Sequence, residues 1–460
     1  MAPWCLNFHS NRVGNRRLHY SAPMLYFLLA FLGCTGNSSP TPQQPDVVLV
    51  IVDTLRADTL SFAGHSRSNS PNLDALSKES AWFSKAYATS SWTLPSTASI
   101  LTGLLPHEHR VVRDGVKHHL FGRLDLQHQT LAEVYQARGY RTGAFINNSF
   151  LAKEFRLNQG FEVYDYQGAG QTKHRSAETT VQQALQWLDT DRKKPAFLLV
   201  HIMEPHTDYT APPPFAGRFT AESQSKLSAP IGPLVGQLMN RQVELPEVDR
   251  DFIRKAYDEE ILTADNAVGA LIQGLKERER YAKSTLVVTS DHGEEFWEYG
   301  GYEHGHTTKS AVTQVPLLVR MPGAKQGENT SIVSLVDLYA ALTENKGPIA
   351  ELAQSGANET TGIAISEDRL YGPLEISVVS QDFRFIFWPA QNKQALFELD
   401  ENGHEVRNVI QDEALREKAK SLPNHLLQKR KSLAPIKASD PIAVRDFSDF
   451  EKLKELGYVD

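Results

Sequence analysis

Four stretches of the chain carry apolar runs that are closed by acidic or imidazole side chains or by a Pro-Gly turn. The first, DVVLVIVDTLRAD, is apolar from Val47 to Val52 and bounded by Asp46 and Asp53. The others are AFLLVHIMEPH (196–206), STLVVTSDHGEE (284–295) and QVPLLVRMPG (314–323). Such runs suit strands covered on both faces. Between them the apolar period changes. PNLDALSKESAWF (71–83) opens on proline and repeats apolar residues every three to four positions, which predicts a helix. TLAEVYQARGY (130–140) combines good helix formers with a late glycine, and residues 253–278 form the longest helical pattern. Strands alternating with helices predict an α/β sandwich with a large, mostly parallel sheet flanked by helices.

In that architecture ligands bind beyond the carboxyl ends of the strands. Asp53, His206 and the Asp291-His292 pair each follow an apolar run closely, so they are expected to converge on one rim. After about residue 345 the pattern changes again. Residues 369–406 show short alternating runs separated by turn residues, which predicts a small antiparallel sheet. A charge-rich helical segment follows at 413–433, with a break expected at Pro423. Residues 46–345 and 346–430 are therefore read as a main domain and a small-sheet subdomain, and 431–460 as a tail.

Composition adds less. The chain has 460 residues and a net charge of −7, which argues against a nucleic-acid partner. Its two cysteines, Cys5 and Cys34, both precede the first run. Arg12, Arg16 and Arg17 precede an apolar stretch, Met24–Gly33, too short for a comfortable membrane span and suited to a secretory signal. It ends in FLGC and resembles a bacterial lipoprotein signal, 1–34, with Phe31 unusual three places before the cysteine. Residues 35–45 then form a flexible linker, and a lipid on Cys34 would hold the protein at the cell envelope, on the periplasmic or outer face of a membrane.

The candidate chemistry lies at the run ends. Asp53 offers a hard-metal ligand or a helix cap. Asp291 beside His292 pairs an oxygen with an imidazole nitrogen, a set suited to Mn or Zn. His304 and His306 follow closely. His201, Glu204 and His206 precede a proline-rich loop at 211–245 that is expected to line the site; His201 reads equally as a histidine satisfied within its strand.

Several motifs, taken in order, resemble the sulfatase family of the alkaline-phosphatase superfamily: VLVIVDTLRAD, SPNLDALSKESAWFSKAYATSSWTLPSTASILTGLLPHEHRV, TLAEVYQARGYRTGAFINN, VHIMEPHTDY, YDEEILTADNAVGALI, VTSDHGEEF, EHGH and QVPLLVRMPG. The resemblance covers most of residues 46–430 and implies an alkaline-phosphatase-like sandwich. It implies one divalent metal ion (Mn, Zn or Ca) on Asp53, Thr93, Asp291 and His292. His206 matches a histidine that contacts the ester, and His304 or His306 matches a substrate-binding basic residue. The implied substrate is a sulfated or phosphorylated small molecule, glycan or lipid headgroup.

Two departures from the family matter. Thr54 stands where a second aspartate is usual. Thr93 stands at the nucleophile position, with Pro95 and Ser96 in place and Thr97 replacing an arginine. Sulfatases oxidise a cysteine or serine to an aldehyde, and the β-methyl of threonine closes that route. A metal-activated threonine hydroxyl is the coherent substitute. The other expectation is a non-catalytic, lipid-anchored binding protein on a sulfatase scaffold.

Overall fold

Strand β1 (Val47–Val52) is buried along its whole length, and its alternate side chains enter two different cores. Val47, Leu49 and Ile51 face one, with Leu94, Ala98 and Leu131; Val48, Val50 and Val52 face the other, with Ile253, Ile261 and Val181. A two-residue period with apolar residues at every position is what a strand sandwiched between helical layers requires. The computed structural model describes residues 44–167, 175–359, 362–430 and 432–446. The signal-like segment, Cys34 and most of the linker lie outside the described residues, as does much of the tail.

The main sheet adds β2 (Ala81–Tyr87), β3 (Arg141–Ile146), β4 (Val163–Tyr166), β5 (Ala196–Ile202), β6 (Thr285–Thr289), β7 (Gln314–Arg320) and β8 (Gly327–Ser334). Their order is β8-β2-β7-β6-β1-β5-β3-β4. Only β7 runs against its neighbours, β6 and β2; every other pairing is parallel. Helices α1 (Pro71–Ser77), α2 (Thr93–Thr102), α3 (Leu131–Ala137), α4 (Ala177–Asp189), α5 (Gly232–Met239) and α6 (Glu247–Glu277) follow in chain order. α2 and α3 contribute to the first core, α4 and α6 to the second. α3 is fixed by a reciprocal cap: the Thr130 hydroxyl accepts from Glu133 N, and the Glu133 carboxylate accepts from Thr130 N.

Two local expectations are corrected. The helix predicted over 71–83 stops at Ser77, and Ala81–Tyr87 is strand β2. Pairing with β7 on one side and β8 on the other outweighs the local helical spacing. The break expected at Pro423 falls earlier, between helices at Glu413–Lys418 and Ser421–Lys429. Pro423 sits in the first turn of the second helix, where its missing N–H removes no intrahelical bond.

The small sheet is present as five strands, Ala364–Glu367, Ile376–Val379, Phe383–Trp388, Lys393–Leu399 and Glu405–Asn408, each antiparallel to the next. It is stitched to the main sheet: the Ser366 hydroxyl donates to Ala88 O (2.6 Å), Glu367 N to Thr89 O (2.8 Å), and Tyr371 N to Gly305 O (2.8 Å). Main and small sheets fall within one unit, Gln43–Asp460. Arg384, fully buried, donates to Thr308 O (2.7 Å) and pairs with Glu405 at 2.6 Å.

Breaking that pair from one side leaves a buried guanidinium uncompensated. Glu405→Gln is expected to destabilise the fold by about 3–5 kcal/mol in denaturant unfolding. Replacing both partners, Arg384→Met with Glu405→Leu, is expected to cost clearly less.

Candidate active site

Four adjacent parallel strands, β6-β1-β5-β3, deliver polar side chains to one rim. Asp53 follows β1, Asp291 and His292 follow β6, His201 sits near the end of β5, and Asn148 lies just past β3. The β1–β6 register pairs Ile51 with Thr289, which sets Asp53 opposite Asp291. The fifth contribution comes from α2, whose first residue is Thr93. Ser96 holds that helix start in place by donating to Asp291 O (2.6 Å).

The structure brings Asp53, Thr93, Asp291 and His292 together. Thr93 Oγ1 is 3.2 Å from His292 Nε2, and Asn148 Nδ2 donates to Thr93 Oγ1 (3.3 Å) and to Asp53 Oδ2 (2.6 Å). His292 Nε2 lies 3.5 Å from Asp291 Oδ2 and 3.7 Å from Asp53 Oδ1; His201 Nε2 lies 3.5 Å from Asp53 Oδ2. Thr54, at φ +57°, adopts a left-handed turn that points its N–H at Asp291 Oδ1 (3.4 Å).

The electrostatics of the group are uncompensated. Burial, and then the Asp291 charge, hold the Asp53 carboxyl well above the usual carboxylate range. Burial pushes His201 and His292 down to about 4, so both are neutral at neutral pH. His292 Nδ1 faces Gly293 O (3.0 Å), so its proton sits there and Nε2 presents a lone pair. Asp53 Oδ1, Asp291 Oδ2 and both His201 nitrogens have no hydrogen-bond partner among the described residues. A ligand atom from each of Asp53, His201 and Asp291 falls within 4.8 Å of the others. Acceptors facing acceptors in a buried site are the donor set of a divalent cation, and these residues fit one.

The remaining candidates divide. The His304 ring is 4.4 Å from His292 and 5.2 Å from His206, so His304 belongs to the cluster. His306 turns to Glu295 (2.9 Å) and, with His206, lines a cavity of about 780 Å³. Residues 211–245, expected as a loop, contain helix α5, and that helix with Asn240 and Arg241 contributes to the wall. Burial pushes Glu294 up to about 7, and burial with the Glu294 charge does the same to Glu303. Asn148, Glu294 and Glu303 were not singled out by sequence reasoning. Asn148 had a readable signal, the second of two amides that follow the GAFI strand; the glutamates had none beyond nearness to His292 and His304.

The family model, curated relatives and solved neighbours make the chain a sulfuric or phosphoric ester hydrolase of the alkaline-phosphatase superfamily. The chain belongs to the sulfatase family, whose profile, Sulfatase, matches residues 45–345. It is 20% identical to an arylsulfatase of Clostridium perfringens over 473 aligned positions, covering 84% of this chain and 94% of that protein. It is 23% identical to an ulvan-active sulfatase of Formosa agariphila, over 65% of this chain and 60% of that protein. Among solved structures it is similar to the phosphonate monoester hydrolase of Agrobacterium radiobacter, with a TM-score of 0.69 at 18% identity, covering 87% of this chain and 99% of that one. It is also similar to a protein solved with its substrate D-glucosamine-2-N,6-O-disulfate, with a TM-score of 0.68 at 17% identity, over 85% and 98% of the two chains.

The start of α2 rests on His109. Its Nδ1 accepts from Val111 N (2.9 Å) and its Nε2 faces Pro95 O (3.2 Å), so burial holds it neutral, with its pKa pushed down to about 3. Between about pH 3 and the unfolded value near 6.5, the unfolded chain binds the extra proton. Stability owed to His109 is therefore complete above pH 6.5 and is lost as pH falls through that window. His109→Gln is expected to lower stability at neutral pH and to remove up to ~1.4 kcal/mol per pH unit of acid sensitivity. Unfolding curves for both proteins between pH 4 and 7 check this; parallel pH dependences would contradict it.

Proposed function

We propose that the protein is a divalent-cation-dependent hydrolase or transferase that cleaves sulfate or phosphate (di)esters through the Thr93 hydroxyl rather than a formylglycine. The observation that carries this reading is Thr93 Oγ1 itself: buried, at the first position of α2, and within hydrogen-bonding distance of His292 and Asn148, beside two carboxylates that each keep one oxygen without a hydrogen-bond partner among the described residues.

Asp53, Asp291 and His292, with His201 beside them, would hold the cation, which when bound supplies positive charge against the oxygens of the transferring group. The protein's own groups do the rest. Asn148 orients both the nucleophile and Asp53 with one amide. The N-terminal end of α2 favours negative charge on the Thr93 oxygen. Thr93 Oγ1, its hydroxyl proton released to solvent, forms a bond to sulfur or phosphorus as the ester bond breaks, and the departing alkoxide takes a proton. His206, which lines the cavity, would give it. Water, or a second alcohol, then displaces Thr93. The disulfated glucosamine bound by one solved neighbour and the ulvan-active sulfatase among the relatives support a sulfated substrate held in the 780 Å³ cavity. On the sequence pattern alone, we also place the protein at a bacterial envelope, held by a lipid on Cys34.

Turnover of an aryl sulfate, a phosphomonoester and a phosphodiester, each with Mn, Zn or Ca and after chelation, tests the reading. Thr93→Ala is expected to lose ~10³-fold or more of kcat/KM. Mass spectrometry of a quenched reaction should find the modified peptide at Thr93. Full activity in Thr93→Ala removes the threonine mechanism. Separately, Cys34→Ser is expected to move the protein from the membrane fraction to the soluble one, and an unchanged distribution counts against the lipid anchor.

A further inference from the structure

The cavity that His206 lines adjoins a groove of about 300 Å³. Arg241, Gly301, His306 and Arg369 line both, and the groove adds Tyr299, Lys309, Trp388 and Lys393. Four fixed cations, Arg241, Lys309, Arg369 and Lys393, face two carboxylates there, Glu295 and Glu375. Both carboxylates are already matched. Glu295 pairs with His306 (2.9 Å); Glu375 pairs with Arg369 (3.2 Å) and accepts the Trp388 indole N–H (2.6 Å). Among the described residues no carboxylate pairs with Arg241, Lys309 or Lys393.

These three are held in other ways. Lys309 Nζ lies 4.2 Å from the centre of the Tyr299 ring and 4.8 Å from that of Phe397. Lys393 stands directly across the small sheet from Trp388, with its Nζ 5.4 Å from the centre of that ring. An aromatic face orients an ammonium without cancelling its charge. Arg241 stands just past the cap of α5 at φ +54°, a position that glycine or asparagine fills at lower cost. Uncompensated cations around one small groove repel each other, and an anion bound between them relieves that repulsion.

We propose that this groove holds a second anionic group of the substrate, a sulfate or carboxylate on a sugar linked to the one whose ester lies in the cavity. The substrate is then a multiply charged glycan oligomer rather than a single small ester. The inference rests on the cavity being the ester site proposed above. Arg241 lines both spaces and spans the linkage; Lys309 and Lys393 take the outer charge. The lining argues for a sugar over a lipid. It includes no aliphatic side chain among the described residues, so an acyl chain has nothing to pack on. The half-buried Trp388 and Tyr299 rings, with Thr307 and Gln391, offer apolar faces and hydrogen bonds together.

Calorimetry on the full protein with a sulfated, uronate-containing tetrasaccharide tests this. Its desulfated counterpart is expected to bind about 10-fold more weakly, and Arg241→Met, Lys309→Met and Lys393→Met together to weaken the sulfated form by a similar factor. Circular dichroism should stay unchanged, and the variant's affinity should depend less on salt than the wild type's. In turnover, the triple variant should lose through KM on the oligomer and keep wild-type kcat/KM on a singly charged aryl ester. Equal affinity of variant and wild type, or of the two tetrasaccharides, overturns the groove. So does an equal loss of turnover on both substrates, and so does tighter binding to anionic phospholipid vesicles than to the tetrasaccharide. Binding that depends on the three cations, in a wild-type protein that turns over no ester, removes the Thr93 reading and leaves the groove standing. Ester turnover with binding indifferent to the three cations does the reverse.

Discussion

Two carboxylates buried side by side cannot both stay charged without a counter-charge within reach. Asp53 and Asp291 are in that position because β1 and β6 are parallel neighbours whose register carries 51 against 289. The rest of the rim answers the same constraint. Asn148 spends its amide on Asp53, Thr54 turns left-handed to offer a backbone N–H to Asp291, and both nearby imidazoles stay neutral. None of these neutralises the pair. The cluster makes physical sense as the protein's half of a cation site, with a threonine hydroxyl at its edge.

Holding so many unpaired polar atoms in a buried site works against stability, and the fold offsets this with its two apolar cores. β1 feeds both, and the whole of α2 is buried. Thr93 is thus placed by a rigid helix rather than a loop, which fixes its oxygen closely relative to the strand ends. The stretch is ordinary in composition; its chemistry comes from where a helix begins.

Much of this was legible in the sequence, for identifiable reasons. Asp53, Asp291 and His292 stand where apolar runs stop, and in a parallel sheet such stops share one edge. Thr93 was legible through its motif. His201 was ambiguous, because a histidine inside a strand packs as readily as it ligates, and only the register that puts it beside Ile51 brings it next to Asp53. Glu294 and Glu303 were hidden because acidic residues in a polar run read as solvated. Nothing local shows that the chain folds back to bury them. The 71–83 helix failed for a related reason: β2 exists because of β7 and β8, far along the chain.

The small C-terminal sheet bears on how this protein can be divided. Trp92, the residue before Thr93, donates its indole N–H to Asp368 (3.0 Å), and the hydroxyls of Ser90 and Ser91 reach the Asp368 carbonyl. With Ser366 and Glu367 bonded to Ala88 and Thr89, residues 366–371 form the floor under the strand that leads into α2. Likeness to the family profile stops at residue 345, but the physical module does not. A gene cut at that point, or a recombinant that exchanged the C-terminal sheet for an unrelated one, would keep every residue of the rim and lose the keystone that aligns it.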